Sequence, residues 1–360
     1  MDPQLPRTID ARTDPERAVA EAVRRLRHGG VLVVPTETVY GLAADADNPQ
    51  AVARMYSIKE RPQSKPMAYL LPGVEDAVAL VGDLPDAARR LADRYWPGPL
   101  TLVLSDRTGR HLGLRVPGDA ITRRLIRKSG LRVYGTSANR SGSPPAITAS
   151  RAINDIGDSV DLVIDGGPCP LAEASTVVRV TGPEWEVLRQ GAIDEDRIES
   201  LVNKLILFVC TGNSCRSPMA HGICRKLLSQ RLDVPEERLR NRGYTILSAG
   251  LATSAGDSPS VAAVKVMGEL GIDISGHRRR PLTRELAERA AVIFVMEPGL
   301  MSEPGEGSGA AARLLGPVRE KLRLLGCGIH DPYGGNHEQY RMCAKEITSA
   351  VSAVLDFLVA

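Results

Sequence analysis

Residues 205 to 220 read Leu-Ile-Leu-Phe-Val-Cys-Thr-Gly-Asn-Ser-Cys-Arg-Ser-Pro-Met-Ala, and no other stretch of the 360-residue chain narrows the fold as far. The run from Leu205 to Val209 is short and continuously apolar, the pattern of a buried parallel strand. Cys210 closes it, a polar loop containing glycine follows, and Arg216 ends the loop. Ser217 and Pro218 predict the opening of a helix whose first turn holds Met219, Ala220, His221 and Gly222. A cysteine and an arginine with five residues between them, on a strand–loop–helix turn, form an oxyanion cradle. Backbone N–H groups of the loop converge on one point, and the helix N-terminus adds positive potential. That field favours the Cys210 thiolate and makes it a nucleophile. Arg216 offers a planar fork for two oxygens of a phosphoryl group.

Beyond this turn the pattern predicts a strand at 244–247 and a helix with Val261, Val264, Met267 and Leu270 on one face, ended by Gly271. Residues 273–280 are polar and basic, and 291–296 read as the next strand. The composition of 302–309 is that of a loop. Residues 310–325 have helical composition, broken near Gly316-Pro317. A last helix near 338–358 carries apolar positions at Ile347, Val351, Val354 and Leu358. Strands alternating with helices imply a small parallel sheet with helices on both faces, an α/β/α unit over 204–360.

This half resembles the low-molecular-weight protein phosphatases. The resemblance rests on the Cys-x5-Arg-Ser-Pro pattern, Ser248-Ala249-Gly250, the run from Gly271 to His277, and Asp331-Pro332-Tyr333. It implies that Cys210 is the nucleophile, that Arg216 binds the phosphoryl oxygens and that Asp331 is the general acid. It also implies that Asn213 and Ser217 hold the loop, the Ser217 hydroxyl stabilising the thiolate. Ser214 lies where members acting on phosphotyrosine carry a bulky apolar residue and members acting on phosphoarginine carry a small hydroxyl residue. Its serine favours a phosphoarginine over a phosphotyrosine protein substrate.

A chain this long suits two domains rather than one core. Hydrophobic residues make up 43%, enough for full globular packing, and 46 Lys+Arg against 43 Asp+Glu leave no coat dedicated to nucleic acid. Aromatic residues are only 4%, so stacking platforms for single strands do not dominate. No apolar core follows Met1 and no run reaches transmembrane length, so neither a secretory signal nor a membrane partner is expected. Five of the 6 cysteines lie beyond residue 209, which is not a secreted disulfide framework. A reducing, cytoplasmic setting is expected.

The first half also alternates. Asp14-Pro15-Glu16 reads as an N-cap, an N1 proline and an acidic first turn, followed by Val19, Ala22, Val23 and Leu26 at helical spacing and by Gly29-Gly30. Strands are predicted at 31–34, 67–71, 100–104, 132–135, 160–164, 175–180 and 184–188, and helices at 49–57, 74–81 and 86–95. Polar residues from Pro35 to Leu42 directly follow a buried strand, where α/β folds place ligands. Lys59, Arg61 and Lys65, set among prolines on a short loop, suggest a triphosphate clamp. Ser137 and Asn139 alternate by two, so both face one ligand if the chain stays extended. Asp45 and Asp47 have no calcium-loop spacing, and no protein-ligated metal is expected.

Taken together these stretches resemble the YrdC/Sua5 family of threonylcarbamoyl-adenylate synthases. The matching motifs are Pro35 to Leu42, the Lys-x-Arg of Lys59 and Arg61, Trp96 to Leu104, and Arg115-Val116-Pro117. The Ser-x-Asn of Ser137 and Asn139, Ser175-Thr176-Val177 and Arg189 to Ile193 complete the set. The resemblance implies a twisted mixed α/β domain over 10–198. Residues 197–203 lead almost directly into the strand at Leu205, with no Gly/Ser-rich or Pro-rich spacer. The resemblance also implies a reaction in which ATP, L-threonine and bicarbonate give threonylcarbamoyl-AMP and pyrophosphate. The product would feed a tRNA threonylcarbamoyl transferase system that makes threonylcarbamoyladenosine. Lys59, Arg61 and Arg115 would hold the triphosphate with its Mg²⁺. Thr36 and Thr38 would contact threonine or the carbamate, and Ser137 and Asn139 phosphate or the adenylate. Ser175 and Arg189 would complete the nucleotide site. The phosphatase half would need no cofactor.

Several readings stay open at this level. Cys215 is either a partner for a reversible disulfide with Cys210 or a small packed side chain. Cys327 and Cys343 raise an arsenate-reductase reading, which Asp331-Pro332 opposes, since an acid there suits an oxygen or nitrogen leaving group. The first half could instead be a basic module that binds double-stranded RNA or tRNA without making the adenylate, or a scaffold for the phosphatase. The separating expectation is geometric: Lys59, Arg61, Ser137 and Asn139 should line one cleft if the synthase reading is right.

Overall fold

A computed structural model describes residues 7–301 and 313–359. The chain divides into two compact units, Met1–Val202 and Asn203–Ala360.

The first unit runs β1 (Thr8–Asp10), α1 (Pro15–Arg27), β2 (Leu32–Val34), β3 (Gly41–Asp45), α2 (Pro49–Lys59), β4 (Ala68–Leu70), α3 (Val74–Val81), α4 (Asp86–Tyr95), β5 (Leu100–Ser105) and β6 (His111–Arg115). It continues with α5 (Ala120–Ser129), β7 (Val133–Ser137), α6 (Ala149–Ile156), β8 (Leu162–Asp165), β9 (Thr176–Thr181), β10 (Glu184–Arg189) and α7 (Glu195–Val202). Its ten strands form one mixed sheet in the order β1-β8-β2-β3-β7-β4-β6-β5-β9-β10.

Local signals set the helix starts. The Asp14 carboxylate accepts the Arg17 N–H ahead of Pro15, and Asn48 accepts the N–H groups of Gln50 and Ala51 ahead of Pro49. Side-chain alternation then decides what the sheet faces. Leu100, Leu102 and Leu104 of β5, Leu114 of β6, and Val178 and Val180 of β9 pack with α3, α4 and α7 in one core. The residues between them, Thr101, Val103, Gly113 and Val177, face the opposite way and floor an open cleft. Strands β2 and β3 are covered on both faces. Val31, Val33 and Leu42 pack with Met55 and Ala152, whereas Leu32, Val34 and Ala43 pack with Val19, Leu26 and Leu125.

The second unit has β11 (Lys204–Cys210), α8 (Arg216–Leu232), β12 (Tyr244–Gly250), α9 (Val261–Glu269), α10 (Arg284–Arg289), β13 (Val292–Val295), β14 (Leu322–Leu324) and α11 (His337–Val359). The sheet is four-stranded and parallel throughout, in the order β12-β11-β13-β14. Ile206 and Phe208 face α8, α9 and α11, with Phe208 stacked on Phe294 at 5.5 Å between centroids. Leu205, Leu207 and Val209 face a second core that includes Leu282, Ala287 and Val318.

Some expectations are corrected. Helix α2 runs two residues further than the 49–57 span, which places Lys59 in its last turn instead of on a loop. Helix α9 buries Met267 of the Val261/Val264/Met267/Leu270 face and part of Val264, but not the face as a whole. Val261 is 85% exposed, and Ala263, Val266 and Met267 are the residues turned inward. Within 310–325 the described residues from Gly316 to Lys321 form 3-10 turns, and β14 follows. The segment 302–309 lies outside the described residues.

Candidate active sites

In the first unit a cleft of about 530 Å³ opens on the uncovered sheet face, lined by Thr36, Lys59, Arg61, Lys65, Arg115, Ser137, Asn139, Ser175 and Arg189 among others. The four residues of the geometric test are therefore together. No carboxylate is among the described residues lining it.

Each cation is held differently. Lys59 is 2% exposed. Its Nζ donates to the main-chain oxygens of Ser137 at 2.5 Å and Asn139 at 2.7 Å, with Ser137 Oγ and Asn139 Oδ1 both at 3.3 Å. Burial, and then the nearby Arg61, bring its pKa down to about 8. Arg61 donates to the carbonyls of Lys65 and Pro66 and so closes the 61–66 loop on itself. Arg115 donates from Nη2 to Glu37 Oε1 and to Thr38 Oγ1, both at 2.7 Å. The second Glu37 oxygen accepts the Gly118 N–H at 2.6 Å. Arg189 donates to Ser175 through both its main-chain oxygen and its hydroxyl, and the Ser175 hydroxyl lies 2.9 Å from Thr101 Oγ1. Desolvation first, and then the nearby cations Arg115 and Arg61, push the Arg189 pKa down.

Two details differ from the expected arrangement. The chain does not stay extended after Ser137. The Asn139 N–H turns back onto the Ser137 carbonyl at 3.0 Å, and both residues reach the cleft because they wrap the Lys59 ammonium. Thr38 is fully buried and does not line the cleft; its hydroxyl touches Arg115 and, at 2.8 Å, Thr36. Glu37, which anchors Arg115, was not singled out by sequence reasoning.

In the second unit Cys210 ends β11 opposite Gly250, and α8 starts at Arg216, with Ser217 and Pro218 in its first turn. Between them Asn213 takes a left-handed conformation at φ 48, which asparagine tolerates well. Its side chain ties the turn together. Nδ2 donates to Ser217 Oγ at 2.9 Å and to Ser248 Oγ at 3.0 Å, and Oδ1 accepts the Arg280 N–H at 2.8 Å. Ser217 Oγ accepts from Asn213 and has its own proton to give, with Cys210 Sγ at 3.0 Å and the more distant Ala249 carbonyl at 3.5 Å within reach. The Asn213 N–H donates to the same sulfur at 3.3 Å. Among the described residues the N–H groups of Gly212, Ser214 and Cys215 have no partner in the protein, which leaves them for an anion.

Arg216 is 4% exposed and brings the far end of the unit to the loop. Its Nη2 donates to Asp331 Oδ2 at 2.6 Å and to Glu297 Oε1 at 2.5 Å, and Nη1 donates to the Ile329 carbonyl at 3.3 Å. Asp331 is half-exposed and Tyr333 beside it is exposed. Ser214 is nearly buried in the middle of the loop. Cys215 forms no disulfide, and its sulfur lies 3.3 Å from both Ser260 Oγ and Tyr340 Oη. Burial raises the Cys343 thiol pKa to about 12, so it makes a poor relay nucleophile. Among the described residues no cluster of His, Cys, Asp and Glu could hold a metal ion, and no helix is long and apolar enough to cross a membrane.

Comparison with known proteins divides the chain in the same way. The Sua5/YciO/YrdC family model, described as telomere recombination, matches residues 24–191, and the low molecular weight phosphotyrosine protein phosphatase model matches residues 205–359. A threonylcarbamoyl-AMP synthase of Bacillus subtilis is 33% identical over 220 residues, covering 58% of this chain and 63% of that protein. One from Marinobacter nauticus is 34% identical over 168 residues, covering 44% of this chain and 88% of its own length. A crystal structure of Pyrococcus abyssi Sua5 with L-threonine superposes over 97% of this chain and 98% of its own, at 19% identity and a TM-score of 0.51, a likeness of fold.

Proposed function

The chain belongs to the threonylcarbamoyl-AMP synthase (Sua5/YrdC) family through its first half and carries a low-molecular-weight phosphatase domain in its second, and from that premise we propose that it is a bifunctional enzyme. The first activity condenses L-threonine and bicarbonate to a carbamate with loss of water. The carbamate oxygen then attacks the α-phosphorus of ATP, the bond from that phosphorus to the β-phosphate bridge breaks, and pyrophosphate leaves. The product, threonylcarbamoyl-AMP, serves tRNA threonylcarbamoyladenosine formation. The Bacillus and Marinobacter relatives bear the name of this activity, and the Pyrococcus relative was solved with L-threonine.

The observation that carries this reading is the cleft that collects Lys59, Arg61, Arg115 and Arg189 without a carboxylate among its described lining residues. Such a site suits a triphosphate and the charge that builds on departing pyrophosphate. Holding the two reactants in line supplies much of the remaining barrier reduction. Mg²⁺ would be held by the nucleotide's own phosphates, since no carboxylate is among the described residues lining the cleft. Thr36 faces threonine or the carbamate, Ser137 and Asn139 hold phosphate or the adenylate, and Thr38 acts through Arg115.

The second activity hydrolyses a phosphoprotein. Cys210 Sγ attacks phosphorus as Asp331 protonates the leaving atom. Water, deprotonated by Asp331, then opens the phosphocysteine to release phosphate. Arg216 and the free loop N–H groups hold the phosphoryl oxygens. The small Ser214 side chain leaves room for a guanidino group, which favours phosphoarginine over phosphotyrosine.

One pair of assays tests both halves. Wild-type protein given ATP, threonine and bicarbonate should release pyrophosphate, and should yield modified adenosine when a tRNA threonylcarbamoyl transferase system is added. Cys210→Ser should abolish aryl phosphate hydrolysis and keep pyrophosphate release. Tight RNA binding with no pyrophosphate would favour the RNA-binding reading instead.

A further inference from the structure

Arg216 meets two carboxylates on a single nitrogen. Its Nη2 carries two hydrogens, and in this structure one goes to Glu297 Oε1 at 2.5 Å and the other to Asp331 Oδ2 at 2.6 Å. A phosphoryl group gripped by the fork needs at least one of those hydrogens, so one carboxylate has to give way. The surroundings distinguish the two. Glu297 lies two residues past the end of β13, the strand beside β11, and the same Oε1 also accepts the Thr211 hydroxyl at 3.2 Å. Thr211 immediately follows Cys210, so Glu297 bridges both ends of the loop. Asp331 sits on an irregular segment, and among the described residues its other oxygen accepts the nearby Tyr333 N–H alone, at 3.1 Å.

We propose that Glu297 is a positioning residue for the phosphatase site: it keeps one Nη2 hydrogen of Arg216 throughout, while Asp331 yields the other to the incoming phosphoryl group. Glu297 thereby fixes the plane and roll of the guanidinium before substrate arrives. Asp331, displaced by the phosphoryl oxygen, becomes free to meet the leaving atom only once the site is filled. The Thr211 hydroxyl holds Glu297 in register with the loop. This inference rests on the phosphatase reading of Cys210 and Arg216.

The test separates the two. Binding of inorganic phosphate is measured by calorimetry in the Cys210→Ser background, and aryl phosphate turnover in the wild-type background. Glu297→Ala should weaken phosphate binding and raise KM by about tenfold, the loss of one charge-assisted contact to the guanidinium, while kcat changes by less than about threefold. Glu297→Gln keeps an acceptor and should recover part of the loss. Thr211→Val should move both quantities in the same direction by a smaller factor, and it stands in if Glu297→Ala does not fold. Unchanged phosphate binding in Glu297→Ala, or in Thr211→Val where Glu297→Ala does not fold, or a loss confined to kcat, would overturn the proposal. A wild type that turns over no phosphate monoester would instead defeat the phosphatase reading, with the calorimetric comparison still reporting on Glu297.

Discussion

The ammonium of Lys59 donates to the main-chain oxygen of Ser137 at 2.5 Å, joining the last turn of α2 to the end of β7. The lysine is thus aimed by carbonyl groups rather than by a carboxylate, and its positive charge is left uncancelled at the cleft.

That arrangement predicts a pH profile. Burial and Arg61 favour the neutral amine, so the ammonium is present below about 8 and lost above it. With threonine and bicarbonate saturating, kcat/KM for ATP should fall as pH rises through that value, by roughly tenfold per unit beyond it. Lys59→Arg should hold its smaller rate to higher pH, because a guanidinium does not titrate there. Pyrophosphate release followed from pH 6.5 to 9.5 (an assay range of about three units) decides the matter. Parallel profiles in the two proteins would mean that Lys59 does not face the triphosphate.

Asn213→Ala should disable the phosphatase loop. The substitution leaves a β-carbon at φ 48 and orphans the Arg280 N–H, which is now satisfied by Asn213 Oδ1. A stability loss of about 2–3 kcal/mol is expected. Asn213→Gly relieves the backbone but not the missing bonds. It should regain part of the stability and none of the activity. Calorimetric melting beside aryl phosphate turnover checks this, and a fully active Asn213→Gly would show that the amide is not needed to direct Ser217 at Cys210.

Asp331→Asn should slow hydrolysis most for leaving groups of high pKa, which need their proton in the transition state. General acid catalysis contributes typically ~10²–10⁴-fold, so the poorest leaving groups should lose on that order. A graded series of aryl phosphates measures the slope. Equal losses across the series would make Asp331 a structural partner of Arg216.

Ser214→Ile should turn selectivity toward phosphotyrosine. Ser214 is buried in the middle of the loop, so a branched side chain there must fill space otherwise open to a substrate. The ratio of kcat/KM on matched phosphoarginine and phosphotyrosine peptides is the measurement. An unchanged ratio would remove residue 214 from specificity.

What could be read in advance followed from local chemistry. Helices α3 and α4 lie where their apolar spacing put them, and β11 with its following turn is legible because strand, loop and helix start all agree. What escaped depends on partners distant in sequence. Gly41–Asp45 has little strand propensity of its own and becomes β3 because β2 and β7 flank it. Helix α9 has apolar residues all round its first turns, so periodicity could not choose between Val261 and Ala263 as the inward residue. Lys59 reads as a loop cation until the carbonyls of Ser137 and Asn139, 78 and 80 residues away, are placed over it. Glu297 offers one usable signal, its position just past the end of a buried parallel strand, where α/β folds gather ligands.

The sheet order has a consequence for how such a protein is made. Ser175 and Arg189 reach the cleft through β9 and β10, and β9 closes against β5, more than seventy residues earlier in the chain. A nascent polypeptide that has not yet extended past Arg189 holds Lys59 and Arg61 without the hairpin that walls them in. In the second unit Cys210 is synthesised long before Asp331. Each candidate site is thus completed by residues that come late in its own unit, ahead only of the closing helices α7 and α11. Neither candidate site can be assembled on a growing chain until these late segments have emerged.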